Sequence, residues 1–262
     1  MTPSVPPGHY ARKQLLSRSR LVAWSHSSRF EVARSLVVPR AGGQLLDYGC
    51  GDGTFLAMVA DLFPTAVGVD AAPDQIEDCA RRFATVPGVT FALAETIRAP
   101  GHHGAYDVIV CMEVLEHCPD DLQRQVLDDI QRSLAPGGLL VISVPVEIGP
   151  SLLVKQMARA VAASRGLREY AHRERYSLPE LARMLFAGAL TTMARPETTQ
   201  ALNDGRTVRF TGHKGFNWRR LAVEMAARFT IERVQFSPMP VLRSLLNSQV
   251  WFVCCAGAQP HA

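Results

Sequence analysis

An open α/β fold built on a mostly parallel sheet is predicted by three features of this sequence. Short apolar runs alternate with helical segments between Gln44 and Val144, the rhythm of strands joined by right-handed crossovers. The first run opens directly into a glycine-rich loop, Gly49-Cys-Gly-Asp-Gly53. The last two apolar runs flank Ser237-Pro-Met-Pro240, which suits an antiparallel pair at a sheet edge.

Residues 1–8 are Pro-rich and are expected to be loose. From Tyr10 to Val38, Leu15, Leu16, Leu21, Val22, Phe30, Val32 and Leu36 recur as a helical pattern. Ala41-Gly-Gly43 is a turn. Gln44–Tyr48 is a strand, Thr54–Leu62 a helix and Ala66–Asp70 a second strand. Pro73 precedes a helix over Asp74–Phe83, where its fixed φ and missing N–H are harmless. Thr90–Ala94 and Tyr106–Met112 are further strands. Asp120 and Asp121 open a helix that runs to Leu134 and is stopped by Ala135-Pro-Gly-Gly138. Leu139–Val144 is the fifth strand. After Pro145 the rhythm breaks into an insertion with helices at Ser151–Ala163 and Leu178–Leu185. A helix at Trp218–Arg228 and strands at Phe229–Phe236 and Gln249–Cys255 complete the chain. Four segments result: an N-terminal helical segment (1–40), a ligand-binding core (41–147), a helical cap (148–212) and the C-terminal part of the core sheet (213–262).

The 262 residues are 47% apolar and 20% charged, which excludes disorder as the main state and fits one domain with a cap. No apolar run reaches the roughly 18 residues of a spanning helix. The first 40 residues lack the apolar core and small-residue cleavage site of a secretory signal. The six cysteines (50, 79, 111, 118, 254 and 255) form no Cys-x-x-Cys pair. That argues against structural zinc and a disulfide framework, and for reduced thiols in a cytoplasmic setting. The net charge of +4 conceals +6 over residues 1–40, −11 over 41–147 and +9 over 148–262. An acidic core between basic ends suggests that the core binds one thing and the ends meet another.

The glycine loop lacks the spacing of the dinucleotide fingerprint and the Lys-Ser/Thr of a phosphate loop. Asp47 and Asp52 place negative charge beside it, which disfavours a pyrophosphate and suits a cationic ligand. Asp70 ends the next strand, where a carboxylate can accept both hydroxyls of a ribose. Glu95 follows the third strand, where it can meet the amino group of a base.

Residues 45–53, with Asp70 and Glu95, resemble class I S-adenosylmethionine-dependent methyltransferases over roughly residues 29–147. The resemblance implies a seven-stranded sheet of order 3-2-1-4-5-7-6 with strand 7 antiparallel. It places Gly49, Cys50 and Gly51 against the methionine part of the donor, with Asp47 near its amino group. Asp70 would hold the ribose, Ala71 and Ile76 would flank the adenine, and Glu95 and Thr96 would meet its edge. Many members carry Asp where Glu95 stands. Arg29 would pair with the methionine carboxylate, and Cys111 would border the donor.

Cys111-Met-Glu-Val-Leu-Glu-His117 follows the fourth strand, and ligands of open α/β sheets bind beyond such strand ends. If a helical turn begins at Val114, then Glu113, Glu116 and His117 share one face. Two carboxylates and an imidazole suit a hard divalent ion, Mg²⁺ or Mn²⁺ before structural zinc. His213 lies in Gly212-His-Lys-Gly-Phe-Asn-Trp218. Together the two segments resemble the metal site of small-RNA 3′-terminal 2′-O-methyltransferases, and the first also resembles ubiquinone-pathway O-methyltransferases. The resemblance implies Glu113, Glu116, His117 and His213 as metal ligands and catalytic residues. It further implies methylation of one oxygen of a vicinal diol or catechol on a small molecule, sugar or glycoconjugate. Three alternatives stand beside this reading: an RNA-end 2′-O-methyltransferase, a metal-free enzyme with His117 as general base, and a non-catalytic scaffold that binds S-adenosylmethionine.

In the insertion, residues 151–163 form an amphipathic helix with Lys155 and Arg159 on its polar side. Arg165, Arg168, Tyr170, His172, Arg173, Arg175 and Tyr176 follow. A lid over the site is the default reading, and peripheral membrane contact through 151–163 is the second. Nucleic acid is disfavoured, because lysine is sparse and no separate RNA-binding module is visible.

Overall fold

The computed structural model describes residues 5–15, 20–164 and 176–257. Its strands, in chain order, are β1 (Gln44–Tyr48), β2 (Thr65–Asp70), β3 (Val89–Leu93), β4 (Tyr106–Met112), β5 (Leu134–Pro145), β6 (Glu197–Ala201), β7 (Thr207–Thr211), β8 (Phe229–Ser237) and β9 (Gln249–Ala256). Seven of them form one sheet of order β3-β2-β1-β4-β5-β9-β8. The first five run parallel, and β9 is antiparallel to both β5 and β8. This is the strand order that the resemblance implies.

The sheet is buried on both faces, which explains why β4 reads as a continuous apolar run. Alternate residues serve opposite layers. Leu46, Ile109, Leu140 and Phe252 face one core, and Leu45, Val108, Val141 and Trp251 face the other. Helices α1 (Arg20–Val37) and α2 (Thr54–Val59) cover the second layer through Ala33, Val37, Phe55 and Leu56. Helix α3 (Pro73–Arg82) follows β2. Helix α4 (Asp120–Ser133) covers the first layer through Leu127 and Ile130. The cap contributes α5 (Pro150–Ser164) and α6 (Leu178–Leu185). Helix α7 (Trp218–Ala226) adds Leu221 and Met225 to the first layer, and α8 (Arg243–Leu246) is a single turn before β9.

Several expectations need correction. Helix α2 ends at Val59, because Leu62 N already closes a turn onto Val59 O at 2.9 Å. Strand β5 starts at Leu134, which pairs with Tyr106 directly after α4 ends. Of the Pro-rich segment 1–8, residues 1–4 lie outside the described residues; Pro6 and Pro7 are exposed, while Pro6 O accepts from Arg82 and Gly8 is buried, where a Cβ would fall 2.2 Å from Asp52. Lys155 does not lie on an outer polar face, since its Nζ donates to Glu147 Oε1 at 2.9 Å. Val154 and Met157 are exposed on that helix instead. The basic residues 165–175 and the side chain of Arg159 lie outside the described residues. Among the described residues no helix is long and apolar enough to cross a membrane.

The largest departure is a β-hairpin, β6–β7, inside the segment read as a helical cap. Polar contacts from its turn and from β7 fasten it to the core. Asn203 bonds Asp74, Arg206 donates to Glu95 at 2.8 Å, and Arg209 pairs with Asp121. Further back, Arg220 meets Asp120 at 2.9 Å and Arg228 meets Asp128 at 2.7 Å. Much of the C-terminal positive charge thus meets the acidic core of the same chain.

Candidate functional site

The turn after β1 needs a backbone that only glycine adopts easily. Gly49, Gly51 and Gly53 have φ of 79°, 51° and 71°. A Cβ on Gly49 would fall 2.2 Å from Val114 Cγ2. The amides of Gly49 and Cys50 donate to Val69 O at 2.7 and 3.0 Å, which seats the loop on the end of β2. The Asp70 carboxylate accepts from Gly51 N and Ala72 N, both at 3.0 Å. Asp47 is buried beneath this loop, and burial together with Asp70 pushes its carboxyl up to about 8. A buried carboxyl held off its ordinary value in this way suits a cationic partner.

A cavity of about 670 Å³ opens above the loop. Arg29, Asp47, Gly49, Cys50, Gly51, Asp70, Ala71 and Glu95 line it, as expected. Three expected cofactor residues do not. Ile76 packs against the core layer of α1 and α2, while Gln75 takes the lining position. Thr96 turns its hydroxyl back to Leu93 O at 2.8 Å. Cys111 points from β4 into the other core layer and is fully buried; its neighbour Met112 lines the cavity. The wall is completed by elements that carry no motif. Tyr10 comes from the N-terminal segment, and Thr207, Val208 and Phe210 come from β7.

At the end of β4 the chain turns through Glu113, whose φ of 56° is rare for a residue with a side chain. This conformation overturns the expectation that Glu113 shares a helical face with Glu116 and His117. Its carboxylate turns to the donor cavity instead. It accepts from Ser143 Oγ at 3.1 Å and lies 3.5 Å from Arg29. Arg29 also donates to Tyr10 Oη at 2.5 Å and to His26 Nδ1 at 2.7 Å. Burial and the Arg29 charge hold His26 down at about 4, so its ring is neutral and Nδ1 can accept.

Glu116, His117 and His213 do come together, with one donor atom from each lying within 4.8 Å of the others. A tight turn over Leu115–His117 presents the first two. His117 Nδ1 sits 3.1 Å from Thr211 O. A carbonyl can only accept, so Nδ1 carries the proton and Nε2 keeps its lone pair. That Nε2 faces His213 Nε2 at 3.3 Å and Glu116 Oε1 at 3.8 Å. Partial burial, then the facing His213, lower the pKa of His117 and favour the neutral ring.

Glu116 is fully buried, and neither carboxylate oxygen has a hydrogen-bond partner. Burial, then Glu113, push its carboxyl well above the usual range. An orphaned buried carboxylate beside two imidazole nitrogens is an arrangement that a cation would complete. The donor set of one oxygen and two nitrogens fits a divalent ion. His117 lines the cavity, whereas Glu116 and His213 lie just outside its lining.

Three neighbours of this cluster carry no sequence signature. Arg195 donates to the backbone carbonyls of Glu116 and Cys118, which holds the turn in place. Glu147, fully buried just past β5, places Oε1 3.6 Å from His213 Nδ1. Lys155 reaches Glu147 from α5.

A family model described as a methyltransferase domain matches residues 25–188. The chain is 38% identical over 121 residues to a ubiquinone biosynthesis O-methyltransferase from Cereibacter sphaeroides, covering 45% of this chain and 47% of that one. It spans about half the length of the curated relatives it matches. A crystal structure of the PH0226 protein from Pyrococcus horikoshii superposes with a TM-score of 0.57 at 18% identity, over 96% of this chain and 100% of that chain. The N-methyltransferase NodS from Bradyrhizobium japonicum, in complex with S-adenosyl-L-homocysteine, superposes with a TM-score of 0.52 at 16% identity. That match covers 95% of this chain and 96% of the other. At such identities the likeness is one of fold.

Proposed function

This chain belongs to the class I S-adenosylmethionine-dependent methyltransferase family, and on that premise we propose that it methylates a hydroxyl oxygen with the help of a divalent ion. The acceptor in this reading carries adjacent oxygens, as in a vicinal diol or catechol on a small molecule, sugar or glycoconjugate. One observation carries the proposal: the buried Glu116 carboxylate has no partner, yet stands beside two converging imidazoles at the rim of the cavity.

S-adenosylmethionine supplies an electrophilic sulfonium methyl. Asp47 is suited to take the donor's ammonium, Arg29 its carboxylate and Asp70 its ribose hydroxyls. The glycine loop lets the backbone approach closely. A divalent ion held by Glu116, His117 and His213 supplies Lewis-acid activation, which lowers the pKa of an acceptor hydroxyl. Mg²⁺ or Mn²⁺ is preferred to structural zinc, although without Glu113 the set of two imidazoles and one carboxylate also fits a catalytic zinc ion. Glu113 is not among the three converging donors; it fixes Arg29 and so serves the donor side. In this reading Arg29 and Glu113 serve the donor and the Glu116–His117–His213 cluster serves the acceptor, and positioning of this kind supplies much of a transfer's acceleration.

A metal-free version has its own support. The proton on His117 Nδ1 is committed to Thr211 O, so the Nε2 lone pair, which faces His213 Nε2 at 3.3 Å, is the one that would take the acceptor's proton. Chelation separates the two. With metal assistance, chelator lowers turnover by roughly tenfold or more, Mg²⁺ or Mn²⁺ restores it, and S-adenosylhomocysteine binding is unchanged. Full turnover in chelator would refute metal assistance and leave His117 as the base.

A further inference from the structure

We infer that Glu147 and Lys155 are positioning residues for His213, linking the cap helix α5 to the cation-binding cluster. The inference rests on the metal-assisted reading.

Glu147 follows β5 by two residues and has no exposed surface. A buried carboxylate is costly unless it is paired. Its pairing is built from the cap: Lys155 Nζ lies 2.9 Å from Glu147 Oε1 and also donates to Ser248 O at 3.2 Å. Its ammonium is fixed between these two acceptors, which sets where the Glu147 carboxyl stands. The same Oε1 stands 3.6 Å from His213 Nδ1, in ion-pair range and just beyond a hydrogen bond. A carboxylate on that side favours the tautomer with the proton on Nδ1 when a cation takes the Nε2 lone pairs; without one, His213 Nε2–H can donate to His117 Nε2, 3.3 Å away.

The two histidines are thus set by different acceptors. Thr211 O accepts from His117, and the Glu147 carboxylate stands against the outer nitrogen of His213. Each ring is turned so that its Nε2 meets the other beside Glu116. Outer carboxylates that orient metal-binding histidines commonly contribute 10–100-fold to metal affinity or activity. A plain structural ion pair between Glu147 and Lys155 would pin α5 to the sheet equally well, but it would not act through His213.

The test titrates the full-length protein, saturated with S-adenosylhomocysteine, with Mn²⁺ alone, and reads free Mn²⁺ by its electron paramagnetic resonance signal. Glu147→Gln is expected to weaken Mn²⁺ by roughly 10–100-fold, with S-adenosylhomocysteine affinity unchanged. Lys155→Arg keeps the charge and is expected to bind Mn²⁺ as the wild type does. In a His213→Asn background, Glu147→Gln is expected to cost less than about twofold, because a residue acting through His213 has nothing left to orient. If Glu147→Gln does not fold, Glu147→Asp keeps the charge, withdraws it from His213 and serves in the same cycle. Equal losses in both backgrounds, or no loss at all, would overturn the inference and leave the ion pair as a strut. A wild type that takes up no Mn²⁺ would overturn the metal-assisted reading as well, an outcome distinct from a failed cycle.

Discussion

His117 and His213, 96 positions apart in the chain, present their Nε2 atoms to each other at 3.3 Å. Glu116 lies beside them with both oxygens unpartnered. Their convergence concentrates the chemistry of the site at one point, and it separates stability from function there.

Replacing Glu116 makes that separation measurable. Glu116→Met removes a buried polar group that has no partner, so the ligand-free protein should gain about 1–3 kcal/mol. Turnover should fall by roughly a hundredfold, the scale of losing one preorganised electrostatic contact. A thermal melt and a methyl-transfer assay on the same preparation check both signs. A destabilised variant would mean that the carboxylate is satisfied in solution.

Asp47 predicts how donor binding depends on pH. Its carboxyl stands near 8 in the folded, ligand-free protein and near 3.9 in an unfolded chain. Between those values the folded state holds the extra proton, so ligand-free stability falls as pH rises. An ammonium beside Asp47 favours the ionised form. S-adenosylhomocysteine affinity should therefore rise between about pH 5.5 and 7.5, by at most tenfold per unit. Calorimetric titration at several pH values would show the slope, and Asp47→Asn should flatten it while weakening binding throughout.

Arg206 tests the hairpin as a roof over the donor. Arg206 and Glu95 are both substantially exposed, so their bond contributes little to global stability. Arg206→Ala should barely move Tm, yet it frees one edge of a strand whose Thr207, Val208 and Phe210 wall the cavity. Dissociation of S-adenosylhomocysteine, followed by stopped flow, should quicken several-fold, and added salt should quicken the wild type in the same direction. An unchanged off-rate would show that donor exchange does not depend on this latch.

The glycine loop and its flanking carboxylates were legible in sequence because their physics is local. Left-handed backbone at Gly49, Gly51 and Gly53 demands glycine, and Asp47 and Asp70 sit at fixed distances from those turns. The acceptor half was legible only in part. Spacing placed Glu113 with Glu116 and His117 on the assumption of a helical turn, and the φ of 56° at Glu113 breaks that assumption. The β6–β7 hairpin went unread because every residue of β6 is exposed, which leaves no apolar alternation to detect. Its one signal was Asp204-Gly205, a pair favoured in tight hairpin turns. Glu147 and Lys155 stand eight residues apart and belong to no motif. Only folding brings them to His213.

Thr211 closes the hairpin, yet its carbonyl holds His117 and its hydroxyl donates to the Glu116 backbone at 3.1 Å. The strand that supplies Thr207, Val208 and Phe210 to the cavity wall therefore ends on the contact that holds the imidazole. One strand thus carries two duties, as a wall of the cavity and as a mooring for the imidazole.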